Sequence, residues 1–178
     1  MRALVVYESM FGNSAAVARA VADALAEHMS TEVVEVASAP PEVPPDVDLL
    51  VVGAPTHAFS LSRRSTRAEA HKQGAAAGSE EIGIREWLGE LPRGRRVSAL
   101  ATFDTRAERV RRMPGSAAAK AARIARDRGL GLAVARTSFY VADVAGPLLP
   151  DELDRARAWG ADLAGLVATR RQVTAGDP

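Results

Sequence analysis

The sequence predicts an α/β protein, a three-layer doubly wound sheet of five parallel strands covered by helices. Two observations predict it. Short runs rich in Val, Leu and Ala alternate with longer segments of helical period, the pattern of a parallel sheet buried on both faces. The 178 residues, 47% of them hydrophobic, suffice for one sizeable core and fall within the range of a single domain. That domain is expected to span residues 1–169, with a frayed tail at 170–178.

The elements follow in order. Residues 3–7 form an apolar first strand, and a short Ser/Gly/Asn turn leads into a first helix over 14–28 with Ser14 placed to cap it. The second strand covers 32–36. The proline-rich stretch 37–46 is too short for a crossover helix with its turns, so an irregular crossover is expected before the third strand at 49–53. A connection of about 28 residues, 54–81, then precedes a helix at 82–91; a loop this long inside a compact domain is usually functional or disordered. The fourth strand is expected at 96–102, followed by a loop over 103–115. An Ala-rich helix occupies 116–128, started by Ser116. A long fifth strand at 130–140 and a last helix at 150–169, with Pro150 suited to its first turn, complete the chain.

Composition excludes several classes of function. Lys and Arg number 23 against 22 Asp and Glu, a net charge of +1 with both signs mixed, so nothing calls for nucleic acid or a membrane as partner. With no cysteine there are no disulfides, thiolate nucleophiles or cysteine-held metals. No apolar run reaches the roughly 18 residues of a bilayer span and no secretory leader is evident; the expected compartment is the cytoplasm. Glu8, Asp104 and Glu108 do not make the converging oxygen set of a hard cation, and no metal is expected.

The chemistry is expected at one edge of the sheet. Ser9 and Ser14 supply hydroxyls, Gly12 a tight turn, and the start of the first helix free N–H groups, together a cradle for an anion. The segment lacks the Gly-x-x-x-x-Gly-Lys-Ser/Thr pattern and its lysine, which favours a monophosphate over a triphosphate. In an open parallel sheet, ligands bind outside the carboxyl ends of the strands where the winding reverses. The loops 8–13, 54–67 and 103–115 all leave such ends.

Three motifs in those loops give the chain a resemblance to the flavodoxin family over nearly its whole length. Ser9-Met-Phe-Gly-Asn-Ser14 is similar to the family's phosphate loop, Gly53-Ala-Pro-Thr-His57 to its Gly-Ser-Pro-Thr-aromatic loop, and Thr102-Phe-Asp-Thr105 to the loop that closes over the pyrimidine edge of the flavin. The resemblance implies a flavodoxin-like sheet of order 2-1-3-4-5 and non-covalently bound flavin mononucleotide (FMN). Ser9, Gly12, Asn13 and Ser14 would hold its phosphate, with Met10 and Phe11 supplying backbone amides. Pro55 and Thr56 would lie along the ribityl chain, His57 and Phe59 against one ring face, and Thr102, Phe103 and Asp104 at the other side and polar rim. Two features depart from the family. His57 stands where many flavodoxins carry a Trp or Tyr, implying weaker flavin stacking. Arg63, Arg64, Arg67, Arg106, Arg109, Arg111 and Arg112 crowd the loops, where the family presents an acidic rim, implying a different partner or an anionic co-substrate.

The implied function is electron transfer through the flavin, with a redox partner protein or NAD(P)H. Two alternatives stay open. One is an NAD(P)H-dependent quinone or nitro-compound reductase in which residues 54–81 would build a substrate pocket or a dimer contact. The other is a flavodoxin-shaped binding module without cofactor. A phospho-receiver would need an acidic pair after the first strand and an aspartate after the third; Tyr7-Glu8-Ser9 and Gly53-Ala-Pro55 supply neither.

Overall fold

In the computed structural model, which describes residues 1–175, the five strands form one parallel sheet of order β2-β1-β3-β4-β5. They are β1 (Arg2–Tyr7), β2 (Ser30–Glu35), β3 (Leu49–Pro55), β4 (Ala99–Ala107) and β5 (Ala133–Val141). The helices are α1 (Asn13–Ala26), α2 (Arg64–Lys72), α3 (Ile84–Glu90), α4 (Ala117–Asp127) and α5 (Glu152–Ala175). Among the described residues no helix is long and apolar enough to cross a membrane.

Side chains alternate along a strand, so each central strand feeds two cores. Ala3, Val5, Leu49, Val51, Ala101 and Phe103 face the layer of α1 and α5, where Val17, Val21, Leu25 and Leu163 meet them. Leu4, Val6, Leu50, Val52 and Leu100 face the layer of α3 and α4, against Ile84, Leu88, Ala121 and Ala125. The proline-rich crossover has only a turn of 3-10 helix, Val36–Ser38, and Trp87 Nε1 fastens it to α3 by donating to Pro40 O (2.8 Å).

Three expectations are corrected. The 54–81 connection contains α2, which no apolar stripe announces: its buried residues are Arg67 and Ala70. The fourth strand runs on to Ala107, pairing Pro55 with Thr105 and Ala107 with Val141, so residues 103–107 are sheet and not loop. α5 continues through 170–175, expected to fray; residues 176–178 of that tail lie outside the described residues.

The strand ends form a step that positions the site. β1 stops at Tyr7 opposite Gly53, β3 continues to Pro55, and β4 to Ala107. A recess is thereby left above the end of β1, between α1 and the overhanging strands.

Candidate functional site

A cavity of about 440 Å³ opens in that recess, within the roughly 300–1,000 Å³ of small-molecule sites. Its floor is the β1–α1 turn. Gly12 takes a left-handed conformation (φ 87°) at the N-cap of α1, a region that disfavours any side chain, and so brings no cap of its own. The Ala15 N–H donates to Ser9 Oγ (3.2 Å), but among the described residues the N–H groups of Phe11, Gly12, Asn13 and Ser14 find no acceptor. Four orphan donors at the positive end of a helix are a ready anion cradle. Ser14 was expected as the cap; the structure instead buries its hydroxyl against Thr105 Oγ1 at 2.7 Å, bridging the turn to β4. Asn13 Nδ2 donates to Ala145 O (3.1 Å), closing the floor against the loop after β5.

A turn after β3 makes the second wall. The His57 and Ser60 backbones exchange hydrogen bonds at 2.9 and 3.0 Å, and the two residues between them, Ala58 (φ 46°) and Phe59 (φ 61°), are both left-handed. A tight turn of this kind usually carries Asn and Gly there, so Ala58 and Phe59 store strain. The result is Phe59 held at the cavity mouth, 41% exposed. Pro55, Thr56 and His57 continue the wall. Thr56 Oγ1 accepts from the Ala117 N–H at the start of α4 (2.9 Å). Burial holds the His57 imidazole below its usual range, the Arg67 charge adding to the effect and the Thr66 backbone opposing it, so the ring is neutral near pH 7.

The third wall falls on later residues than the sequence indicates. Thr105, Arg106, Ala107, Arg109 and Val110 reach the cavity, whereas Thr102, Phe103 and Asp104 do not line it. Strand alternation is the reason. Phe103 turns into the α1/α5 core, edge-on to Phe139 (5.9 Å) and Trp159 (6.2 Å). Thr102 donates to Ala118 O (3.1 Å), and Asp104 accepts the Ala118 N–H (3.0 Å) at the α4 terminus. Burial raises the Asp104 carboxyl above its usual range, with Ser116, the Ala118 N–H, Ser138 and Arg106 each pulling it down. The remaining expected positions, Ser9, Met10, Phe11, Asn13, Ser14, Pro55, Thr56, His57 and Phe59, all come together on the cavity, with Gly12 in the turn beneath.

The fourth wall comes from the 54–81 segment as the helix α2, which sequence reasoning missed: it contributes Ser65, Thr66, Glu69 and Ala70, with Gln73 at its C-cap. A buried ionic cluster anchors it. Arg67, fully buried, donates to Ser62 Oγ (2.9 Å), Glu80 O (2.9 Å) and Glu81 O (3.0 Å) and pairs with Glu86 (3.0 Å). Glu8, 1% exposed, accepts the Ile84 N–H (2.9 Å) from the start of α3. Burial raises its carboxyl above the usual range, against the opposing pull of Ser62, the Ile84 N–H and Arg67. At the far end of α2, the segment after it rests on the β1–α1 turn: a Cβ on Gly78 would meet Met10 Sδ at 2.6 Å and Ser9 O at 2.9 Å.

The arginine-rich rim loses two of its members to the interior and pairs off others. Arg67 is buried, Arg64 pairs with Glu81 (2.5 Å), Arg109 with Asp143 (2.9 Å), and Arg111 sits 4.8 Å over the Tyr140 ring. Arg106, 7% exposed, donates to Val110 O and Met113 O and so shapes the 107–113 loop. Arg67 and Arg106 thus serve the fold, while Arg63, Arg64, Arg109, Arg111 and Arg112 stay exposed.

No protein-family model and no curated protein matches the sequence. Solved structures do match. A flavodoxin from the domain Archaea superposes with a TM-score of 0.59 at 18% identity, over 94% of this chain and 99% of its own. A flavodoxin of Streptococcus pneumonia TIGR4 gives 0.58 at 16% identity, over 93% and 99%. The chain has the flavodoxin fold. A flavodoxin, WrbA-like protein from Agrobacterium tumefaciens has it too, with a TM-score of 0.50 at 16% identity over 95% and 98%. Within this flavodoxin fold the cavity lies at the switch point, where the chain passes from the β1–β2 side of the sheet to the β3–β5 side.

Proposed function

We propose that the protein is a flavodoxin-type redox protein that binds FMN non-covalently in this cavity. The observation that carries the reading is the uncapped start of α1, four orphan N–H donors at the floor of a cavity large enough for an aromatic cofactor. The residues fit the group. Ser9, Gly12, Asn13 and Ser14, with the amides of Phe11, would hold the phosphate, and Met10 backs the turn from the core. Pro55 and Thr56 would flank the ribityl chain. His57 and Phe59 would cover one ring face, and the backbone of Thr105 to Ala107 takes the rim position that the motif assigned to Thr102, Phe103 and Asp104. When bound, the flavin supplies reversible uptake of one or two electrons. The chain's own part is to bind, orient and shield it: the neutral His57 adds no charge beside the ring, and the strained turn fixes Phe59 before any ligand arrives.

Titration with FMN, read by flavin fluorescence, tests the reading. Saturable one-to-one quenching is expected; a protein that never quenches is instead a flavodoxin-shaped module of another kind. Replacing both hydroxyls, Ser9→Ala with Ser14→Ala, is expected to weaken FMN at least tenfold and riboflavin far less, since each hydrogen bond to a charged group contributes about 1.5–3 kcal/mol. Equal losses for both ligands would remove the phosphate assignment.

One observation favours a second reading on the same cofactor, an NAD(P)H-dependent reductase of quinones or nitro compounds. α2 walls the cavity on the side where a pure electron carrier would leave its flavin open to a partner protein. Steady-state NADPH oxidation with a quinone and no added reductase separates the two: turnover marks the enzyme, none the carrier.

A further inference from the structure

Ser65, Glu69 and Gln73 repeat at four-residue spacing along one face of α2, and all three line the cavity. None belongs to the walls assigned to FMN. Gln73 Nε2 donates to Glu69 Oε1 (3.1 Å), which steadies the carboxylate and leaves Oε2 without a hydrogen-bond partner among the described residues. The other charges on the lining are accounted for. His57 is neutral, Arg109 is paired with Asp143, and Arg106 is bound to two carbonyls beside Asp104. Among the described residues Glu69 has no ion-pair partner, so its carboxylate is the anionic charge facing the space, while Arg106 is held back by its carbonyl partners and 7% exposed. Elsewhere on the lining Phe59, Val110 and Val144 present apolar surface.

We propose that the α2 face seats the second substrate, and that Glu69 selects a flat aromatic molecule bearing a cationic or hydrogen-bond-donating substituent over an anionic one. The apolar body lies along Val110 and Val144, and the substituent turns to the Glu69–Gln73 pair. The proposal rests on the flavin reading for the identity of the neighbouring ligand. Because Glu69 is solvent-exposed, a charge about 6 Å away acts through a water-like dielectric, and the attraction of one sign together with the repulsion of the other gives roughly five- to tenfold discrimination at low salt, shrinking as salt screens it.

The test is equilibrium binding to the oxidised FMN-loaded protein, with two probes of one ring: anthraquinone-2-sulfonate, and anthraquinone carrying a quaternary ammonium group at the same position. The cationic probe is expected to bind about five- to tenfold more tightly at low salt. Glu69→Gln should bring the two affinities within about twofold of each other, and Gln73→Lys should reverse the preference. FMN affinity, read separately, should change less than twofold in both variants. Unchanged probe preference in Glu69→Gln overturns the proposal. So does tighter FMN binding with no change in preference, which would place Glu69 beside the cofactor. Failure of FMN to bind overturns the flavin reading alone; the probe pair is then titrated against the protein as purified, where equal affinities overturn the subsite too.

Discussion

Arg67 shows how far a single residue can depart from its local chemistry. Read in sequence it is one of a run of surface arginines; in the structure it is fully buried and joins Ser62, Glu80, Glu81 and Glu86. Removing one partner of a buried charge cluster leaves the others uncompensated, so Arg67→Ala is expected to cost about 3–5 kcal/mol in urea unfolding. His57 is the other residue whose surroundings set its behaviour. Its folded form resists protonation, while the unfolded chain takes up that proton near pH 6.5. The unfolded state therefore binds more protons below that pH, and stability falls as pH drops through about 6.5. His57→Asn is expected to flatten this part of the stability profile between pH 5.5 and 7.5. Comparing variant with wild type cancels the buried carboxyls Glu8 and Asp104, whose raised values act in the opposite direction. An unaltered profile in the variant would show that the imidazole titrates freely.

The elements divide into those that carry a periodic signal and those that do not. α4 is legible because Ser116 caps it, accepting the Ala119 N–H at 3.2 Å, and because Ala117, Ala118, Ala121 and Ala125 form its buried stripe. α2 has no such stripe; an arginine fills its inward position, and hydrophobic periodicity cannot see a helix anchored by ion pairs. The end of β4 hides for a related reason. Asp104 and Thr105 read as loop residues, yet each is buried and hydrogen-bonded to a helix terminus or to Ser14. Two glycines test how α2 is tied to the β1–α1 turn. Gly78→Ala combines φ +80° with a 2.6 Å approach to Met10 Sδ, so it is expected to lift the segment, lower the melting temperature and weaken FMN. Gly12→Ala has nothing within 4 Å of its Cβ and should cost only the left-handed strain, about 1–2 kcal/mol. Equal effects in a thermal melt would mean that Gly78 bears no close contact.

At the scale of the molecule, the fold was legible almost entirely. β1 and β3 are buried runs rich in Val, Leu and Ala, β4 and β5 open on such residues before turning to Thr, Asp, Arg and Ser, and β2, exposed along much of its length, still carries Val33 and Val34 between acidic residues. The cavity lining was legible where it rests on backbone conformation encoded by small residues, as in Ser9 to Ser14, and illegible where it rests on strand register and on a helix held by buried charge. The layering has one more consequence. Of the two tryptophans, Trp87 packs in the α3/α4 layer and Trp159 against the α1/α5 layer, so the chain carries a natural fluorophore on each side of the sheet. Variants keeping one indole each, Trp87→Phe and Trp159→Phe, would report the melting of the two half-cores separately. Superimposable denaturation curves, after correction for each variant's own stability, are expected if the shared strands make the halves unfold as one cooperative unit; separated midpoints would reveal an intermediate with one face of the sheet already bare.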